Sequence, residues 1–326
     1  MHSIKILILL LLIIPPPVFS SESDHTPLSE TNVSGFEEQS CFNSEVPLIK
    51  NNPKVIQLKK AGRLYLIEAI IDGKTGYLVF DTGASALVLN MNYFNHPLMH
   101  TRKSNGGSVT GSLKPFKMVV SCLSISDLNF KNISADIIDL SHLELHLDIE
   151  ILGLFGLNLL REFEVIFDTQ NNNLQFYPID KKGNCILNIT SGYEFDHTHR
   201  MEVRNNIATI NASIGEIELR FCLDTGAEIN LINHALPNKV LQKISISQQS
   251  EIMGTCPGSV NASYGKMKEF TIGDFDYEDM DVAIIDLTHI SNSYGYRIDG
   301  ILGFDFWQKG VYKFNCKKQL ISLSTF

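Results

Sequence analysis

The tripeptide Asp-Thr-Gly occurs twice in this chain, at Asp81-Thr82-Gly83 and at Asp224-Thr225-Gly226. Each copy follows an apolar run and precedes an alanine and a second apolar stretch that contains an asparagine. Two carboxyl groups on tight turns at strand ends can be brought face to face, where they share one proton and activate a water molecule. One copy would mean little, but two in matching contexts predict a paired-carboxylate site with Asp81 and Asp224 as its catalytic acids.

The other two residues of each triplet have predicted supporting roles. Thr82 and Thr225 carry hydroxyls that can bond across to the backbone of the partner loop and hold the two turns in register. Gly83 and Gly226 allow the backbone to bend and to approach its twin closely.

The repeat extends beyond the triplets. Residues 136–143 are similar to residues 283–290, and residues 153–160 are similar to residues 300–307, each pair at the same spacing. The triplets lie slightly closer together than these segments, so the second copy carries extra residues. We expect them in the loop-like stretch 245–266, where insertions cost little. The chain is therefore predicted to be two similar halves.

Composition restricts the function classes. The chain has 326 residues, enough for two domains, and 44% of them are hydrophobic, enough for a core in each. The net charge is −9, and no Lys/Arg cluster is interleaved with aromatic residues. A nucleic-acid partner is therefore not expected.

The first twenty residues read as an export signal. Lys5 precedes an unbroken apolar segment at 6–14, three prolines follow, and Val18 and Ser20 suit cleavage after Ser20. The apolar segment is too short to span a bilayer, so no stable membrane span is expected, with an uncleaved anchor as the alternative. The mature chain is predicted to be periplasmic or extracellular.

The predicted domain organisation follows from the signal and the repeat. Residues 1–20 are the signal peptide, and residues 21–53, rich in Ser, Glu and Asn, are a mobile lead-in with a pro-segment as the alternative. Repeat 1 covers 54–182, a linker covers 183–198, and repeat 2 covers 199–326.

The cysteines do not fix a disulfide pattern. Their number is even, which is compatible with bridges in an exported chain, but several pairings satisfy the count. Cys222 precedes Asp224 by two residues on a predicted core strand and is expected to be a buried thiol. No Cys-x-x-Cys pair occurs, so a zinc site built from cysteines is not expected. The six are Cys41, Cys122, Cys185, Cys222, Cys256 and Cys316.

Short apolar and β-branched runs separated by Gly, Asn and Asp predict an all-β fold. The predicted strands include 64–71 in the first half and its counterpart 207–214 in the second. Only brief helices are expected, at 157–162, 304–309 and 239–244.

These residues resemble the retropepsin-like aspartic protease family. The resemblance lies in Asp-Thr-Gly-Ala with apolar flanks and in a later apolar-apolar-Gly element, Leu154-Phe155-Gly156 in one half and Ile301-Leu302-Gly303 in the other. The run at 156–160 is similar to the family's Gly-Arg-Asn-Leu-Leu run. The family's Arg is replaced by Leu157 and Phe304, and its Asn is kept as Asn158 but replaced by Asp305.

Because both halves lie in one polypeptide, the chain looks like a fused retropepsin dimer, as in some bacterial aspartyl protease families. The resemblance implies two β-barrel lobes about a pseudo-twofold axis, with Asp81 and Asp224 paired at the interface. It also implies an endopeptidase acting on peptides or proteins as a monomeric pseudo-dimer, with no cofactor and no metal. Its mobile flaps correspond here to the Gly-rich stretches around Gly106 and Gly107 and around Gly254 and Gly258, with ordinary surface hairpins as the alternative.

Other polar residues are interpreted as structural. Asp139 and Asp286, which match across the halves, are expected to cap loops. His142 and His289 also match and suggest a shared strand-end contact. The spaced pairs His142/His146 and His197/His199 are expected to be solvated loop histidines, because no zinc-protease glutamate accompanies them. Ser85 and Glu228 differ between the copies and are taken as local loop residues.

Two further hypotheses stay open. The chain could be a peptide-binding or scaffold protein that keeps the fold without turnover, although intact aspartates in both halves count against this. Alternatively, each half could pair with its own kind in another chain and form a larger assembly.

Overall fold

The computed structural model describes residues 6–7, 53–94, 100–101, 106–108, 111–113, 116–188, 192–253 and 259–325. Side chains are described for this set apart from residues 6–7, 100–113, 250–253 and 259–260. The structure is mostly β, with a few short helices, as the sequence predicts.

The first half and the segment before it contribute fourteen of the described strands. They are β1 (Ile6–Leu7), β2 (Lys54–Gln57), β3 (Lys59–Ala61), β4 (Leu64–Ile71), β5 (Lys74–Phe80), β6 (Leu87–Asn90), β7 (His100–Thr101), β8 (Gly106–Ser108), β9 (Gly111–Leu113), β10 (Phe116–Ile125), β11 (Leu128–Ile138), β12 (Ile151–Phe155), β13 (Phe163–Asp168) and β14 (Asn173–Pro178). Helix α1 (Ser141–Leu147) precedes β12, and a 3₁₀ helix (Leu157–Leu160) follows it.

The second half repeats this order along the described part of the chain. Its strands are β15 (His197–Arg204), β16 (Ile207–Ile214), β17 (Ile217–Leu223), β18 (Asn230–Asn233), β19 (Ile244–Met253), β20 (Ser259–Met267), β21 (Phe270–Ile272), β22 (Phe275–Tyr277), β23 (Met280–Ile285), β24 (Gly300–Leu302), β25 (Gly310–Asn315) and β26 (Leu320–Thr325). Its helices are α2 (Asn238–Leu241), α3 (Thr288–Tyr294) and α4 (Phe304–Trp307).

Each half places its Asp-Thr-Gly loop between two strands that flank a third. In the first half, β12 pairs in parallel with β5 and antiparallel with β6, so the loop from β5 to β6 passes over the end of β12. In the second half, β24 pairs in the same way with β17 and β18. The strands on both sides are buried, which fixes the point at which each loop leaves its sheet.

A six-stranded sheet joins the halves, in the order β15-β26-β25-β13-β14-β2. Its central pair is β13 with β25, antiparallel from Glu164 opposite Asn315 to Asp168 opposite Val311. Backbone hydrogen bonds therefore cross from one half to the other, and the relative position of the two loops does not depend on side chains alone.

The apolar core continues through this junction. Tyr65 and Phe167 meet edge to face with ring centroids 5.0 Å apart, and Phe167 lies 5.8 Å from the ring of Trp307 in the second half. The three rings are almost wholly buried. Such aromatic contacts add to the burial of apolar area in holding the halves together.

Several sequence-based boundaries are confirmed and others are wrong. Strands β4 and β16 have the predicted limits, and the predicted helices occur in shorter form. The stretch 245–266 is not a loop, because β19 and β20 form a long antiparallel hairpin across it. Helices α1 and α3 were not predicted, since seven residues are too few to show a helical period.

The helices and the cysteines can be compared with what the sequence predicts. None of the described helices is long and apolar enough to cross a membrane. The cysteines within the described ranges, Cys122, Cys185, Cys222 and Cys316, are free thiols, and Cys222 is buried as expected.

Candidate active site

The two Asp-Thr-Gly loops are held to their own halves by equivalent backbone hydrogen bonds. Asp81 N donates to Phe155 O at 3.1 Å, and Asp224 N donates to Leu302 O at 3.0 Å. The acceptors end β12 and β24, which are the strands of the apolar-apolar-Gly elements. This second motif therefore serves to anchor the first.

The threonines join the loops to each other in a reciprocal pattern. Thr82 Oγ1 donates to Leu223 O at 2.9 Å and accepts from Thr225 N at 3.1 Å. Thr225 Oγ1 donates to Phe80 O at 2.8 Å and accepts from Thr82 N at 3.0 Å. All four bonds are buried, so losing either hydroxyl would leave a backbone group of the other loop without its partner.

The glycines leave room for the opposite carboxyl group. A Cβ built on Gly83 would lie 2.4 Å from Asp224 Cγ, and one built on Gly226 would lie 2.6 Å from Asp81 Cγ. Neither glycine has a positive φ. Close approach, and not the backbone bend also expected from sequence, is the reason that these positions need glycine.

The carboxyl groups of Asp81 and Asp224 lie together and are fully buried. Asp81 Oδ1 accepts from Ala84 N at 3.0 Å, and Asp224 Oδ1 accepts from Gly226 N at 2.8 Å. The other oxygen of each carboxyl, Oδ2, is buried and receives no hydrogen bond from any described N–H or O–H group. A proton shared between the two carboxyls would give these oxygens a hydrogen-bond donor.

The electrostatics of the pair favour that shared proton. Burial raises the pKa of Asp81 to about 7, against the opposing effect of hydrogen bonds from Asp224 and from backbone N–H groups. Burial, and next the charge on Asp81, raise the pKa of Asp224 well above its usual range. The second carboxyl is thus protonated when the first is charged, and the two titrate as a unit.

The residues that replace the family's Arg and Asn are supported by the backbone. Leu157 N donates to Ala84 O at 2.8 Å, and Phe304 N donates to Ala227 O at 2.8 Å. Asp305 accepts a hydrogen bond at Oδ2 from Asp281 N at 2.6 Å, whereas the buried Oδ1 of Asn158 has no donor among the described residues. The backbone N–H groups at these two positions therefore contact the Asp-Thr-Gly loops, and no guanidinium is needed for that contact.

The predicted flap residues divide between described and undescribed parts of the chain. Gly106 and Gly107 lie in β8, which pairs with β9 as a small hairpin and lies near α3 of the second half. Gly254 and Gly258 fall outside the described residues, between β19 and β20. The position of β8 shows that the first hairpin reaches towards the other half.

Two of the residues interpreted as loop acids are confirmed in that role. Asp139 Oδ1 accepts from Ser141 N at 2.9 Å at the start of α1, and Asp286 Oδ1 accepts from Thr288 N at 2.8 Å at the start of α3. Because both stabilise a helix start, their repetition reflects local structure.

The interpretation of the paired histidines as solvated loop residues is wrong. His142 and His146 lie on α1, and His197 and His199 lie on β15. His199 packs against Gly273, and burial lowers the pKa values of His142 and His199. Helix α1 was not predicted, and β15 begins earlier than the strand predicted at 201–203.

Sequence reasoning also missed a contact between the halves at Glu228. This side chain is buried, and its Oε2 lies 3.2 Å from His146 Nε2. The two residues stand 82 positions apart in the chain, so no local pattern could have paired them. Glu228 is thus more than a local loop residue.

Within the described ranges, no group of three or more His, Cys, Asp or Glu side chains is placed to hold a metal ion. The described residues offer the chemistry of two neighbouring carboxyls that are fully buried. Such a pair can accept a proton from water at one carboxyl and donate one at the other.

Comparison with known proteins agrees with this geometry. Residues 210–306, which include Asp224, match a family model described as aspartyl protease. The fold is similar to that of an aspartic proteinase from Irpex lacteus, with a TM-score of 0.50 and 13% sequence identity, over 84% of this chain and 97% of that one. No match was found among curated proteins. The second half of the chain therefore matches the aspartyl protease family model, and the chain shares the fold of an aspartic proteinase.

Proposed function

We propose that this chain is an exported aspartic endopeptidase that hydrolyses peptide bonds with a water activated between Asp81 and Asp224. The supporting observation is the pair of fully buried carboxyls on loops cross-bonded through Thr82 and Thr225. A structural ion pair would need a cation beside these acids, and none of the described contacts supplies one.

In the proposed reaction the two acids begin in different protonation states. Burial raises the pKa of both carboxyls, and the charge on Asp81 next raises that of Asp224. We assign Asp81 as the general base and Asp224 as the proton donor at the start of the reaction.

The proposed reaction needs two proton transfers in each direction. Asp81 takes a proton from water as the water oxygen bonds to the peptide carbonyl carbon, and Asp224 gives its proton to the carbonyl oxygen. The resulting diol then returns a proton to an aspartate while the amide nitrogen receives one, and the C–N bond breaks. The products are a carboxylic acid and an amine, and the pair regains its single proton.

Single substitutions at the two acids test the function. Asp81→Asn and Asp224→Asn should each lower kcat on a peptide mixture by a factor of about 10³ or more, because each removes one of the two proton-transfer groups. Both variants should stay folded, since Asn has the same shape and carries no charge. Turnover is measured at acid and neutral pH, with circular dichroism as the folding control.

The outcomes separate the competing hypotheses. Either variant with wild-type turnover would exclude the proposed pair. A folded wild-type chain without turnover that still binds peptides would favour the non-catalytic peptide-binding protein. The mass of the active species in solution distinguishes a monomer from a larger assembly.

Export is proposed from the sequence of residues 1–20 alone. Expression of the full chain with its N-terminus intact, followed by mass determination of the product outside the cytoplasm, tests cleavage after Ser20. A product that retains Lys5 would favour the uncleaved anchor.

A further inference from the structure

Glu228 is held from the opposite half by two separate groups. His146 Nε2 lies 3.2 Å from Glu228 Oε2 and 3.4 Å from Oε1. Arg63 Nη1 donates to the backbone carbonyl of Glu228 at 3.2 Å. His146 lies in the last turn of α1, and Arg63 lies between β3 and β4, so two elements of the first half converge on one residue of the second.

The position of Glu228 places this contact on the loop that carries Asp224. Glu228 follows Gly226 by two residues on the loop that carries Asp224, and Ala227 between them is bonded to Phe304 N through its carbonyl. Its side chain is 6% exposed. A carboxylate buried to this extent needs hydrogen-bond donors, and charge-assisted bonds to it are among the stronger ones in proteins.

The equivalent positions on the other side carry residues of different chemistry. Ser85 stands where Glu228 would be, and Ser293 stands where His146 would be. Ser293 Oγ donates to His289 O within its own helix, and Asn206, the counterpart of Arg63, accepts from Arg161 Nη1 at 3.3 Å. The pair of an acid and an imidazole therefore acts on the Asp224 loop, and the equivalent positions of the other side do not carry that pair.

We infer that His146 is a positioning residue that holds the Asp224 loop against the first half through Glu228. The inference rests on the proposed function, because the consequence of the contact is the placement of the Asp224 carboxyl relative to Asp81. A displacement of about 1 Å at such a site is enough to lower turnover by up to about a hundredfold. The imidazole Nε2–H is the donor that the buried carboxylate requires.

The test combines kinetics with a readout that does not require activity. His146→Ala should lower kcat about tenfold while KM changes less than about twofold, because the reacting groups are misplaced and no substrate contact is removed. Amide hydrogen exchange at Thr82 and Thr225, whose N–H groups bridge the loops, should become about tenfold faster relative to the amides of β13 and β25.

Two variants provide the matched controls. Ser293→Ala changes the equivalent helix position in the second half and should leave kcat and both exchange rates within about twofold of the wild type. His146→Gln places an amide N–H near the position of Nε2 and should restore most of the loss. It also serves if His146→Ala does not fold.

The outcomes are distinguishable from failure of the proposed function. If His146→Ala and Ser293→Ala give the same exchange at Thr82 and Thr225, or if His146→Gln behaves like His146→Ala, the positioning role is wrong. Uniformly faster exchange with unchanged kcat would indicate a contribution to stability alone and would equally overturn it. A wild-type chain without turnover would refute the peptidase, while a selective change in exchange would still support the positioning contact.

Discussion

The two halves make the same contacts where their loops meet but differ in the residues just behind those loops. Thr82 and Thr225 exchange equivalent hydrogen bonds whose lengths differ by little, and both glycines face the opposite carboxyl. Behind Asp224, however, lie Cys222 and Tyr294, whereas the first half has Val79 and Leu147 at those positions. A symmetric pair of loops is thus set in an asymmetric surrounding.

The comparison shows which parts of a duplicated unit are free to change. Groups that hydrogen-bond across the junction depend on the equivalent group of the other half. Altering one copy therefore leaves a buried polar group of the other copy without its hydrogen-bond partner. Groups behind the junction contact their own half, and each copy can vary alone.

Removing one threonine hydroxyl is expected to have the largest effect on stability. Thr82→Val and Thr225→Val should each lower the free energy of unfolding by about 2–4 kcal/mol, because each removes a donated bond and leaves a buried N–H of the other loop unpaired. The two losses should agree closely, as the contacts are reciprocal. Chemical denaturation measures both.

The matched controls are Thr82→Ser and Thr225→Ser, which keep the hydroxyl and should cost less than about 1.5 kcal/mol. If one valine variant were strongly destabilised and the other nearly neutral, the loops would not be equivalent in energy despite their similar geometry.

The pH dependence of stability should follow from the buried pair. Asp81 has a pKa of about 7 in the folded chain, against about 3.9 in an unfolded one. A raised pKa means that protonation favours the folded state, so this contribution is fully present below about pH 3.9 and is lost as pH rises towards 7.

Comparison with the double variant Asp81→Asn/Asp224→Asn isolates this effect, because all other titrating groups are common to both proteins. Thermal unfolding should show similar stability near pH 3.5 and a growing advantage of the double variant as pH rises to 8. Parallel curves over that range would show that the two carboxyls are not held in the buried, coupled state.

Much of what the two halves share, the Asp-Thr-Gly loops and the strands that carry them, was predictable from sequence. Apolar and β-branched runs bounded by Gly, Asn and Asp predicted the limits of β4 and β16. The repeated triplets predicted that Asp81 and Asp224 pair, since a motif that recurs in context indicates a shared structural role. Asp139 and Asp286 were interpreted as capping acids because no Gly turn accompanies them, and their hydrogen bonds confirm this.

The asymmetric part was not predictable, for a physical reason. His146 and Glu228 have no counterparts of the same chemistry in the other half, and their contact depends on how the two halves pack. Residues that differ between the copies were treated as unimportant, yet a contact between halves needs only one acid and one donor. The length of the hairpin β19–β20 was missed because its polar residues resemble a loop, while its pairing is made by backbone groups that sequence does not display.

The thiol behind Asp224 offers the finest test of the comparison. Cys222 Sγ lies 3.9 Å from Tyr294 Oη, and burial, followed by the charge on Asp224, raises the pKa of this thiol well above its usual range. A neutral thiol acts as a small apolar group.

The variant Cys222→Val copies Val79 of the first half. It should change the free energy of unfolding by less than about 1.5 kcal/mol. It should change turnover by less than about threefold, which is about 0.7 kcal/mol in the activation barrier. Urea denaturation and peptide turnover measure the two quantities, and Val79→Ala serves as a comparison for simple loss of volume in the matched strand. A folded Cys222→Val variant that lost more than about tenfold in kcat would show that the thiol and Tyr294 help to keep Asp224 protonated, and the asymmetry behind the loops would then belong to the chemistry and not only to the packing.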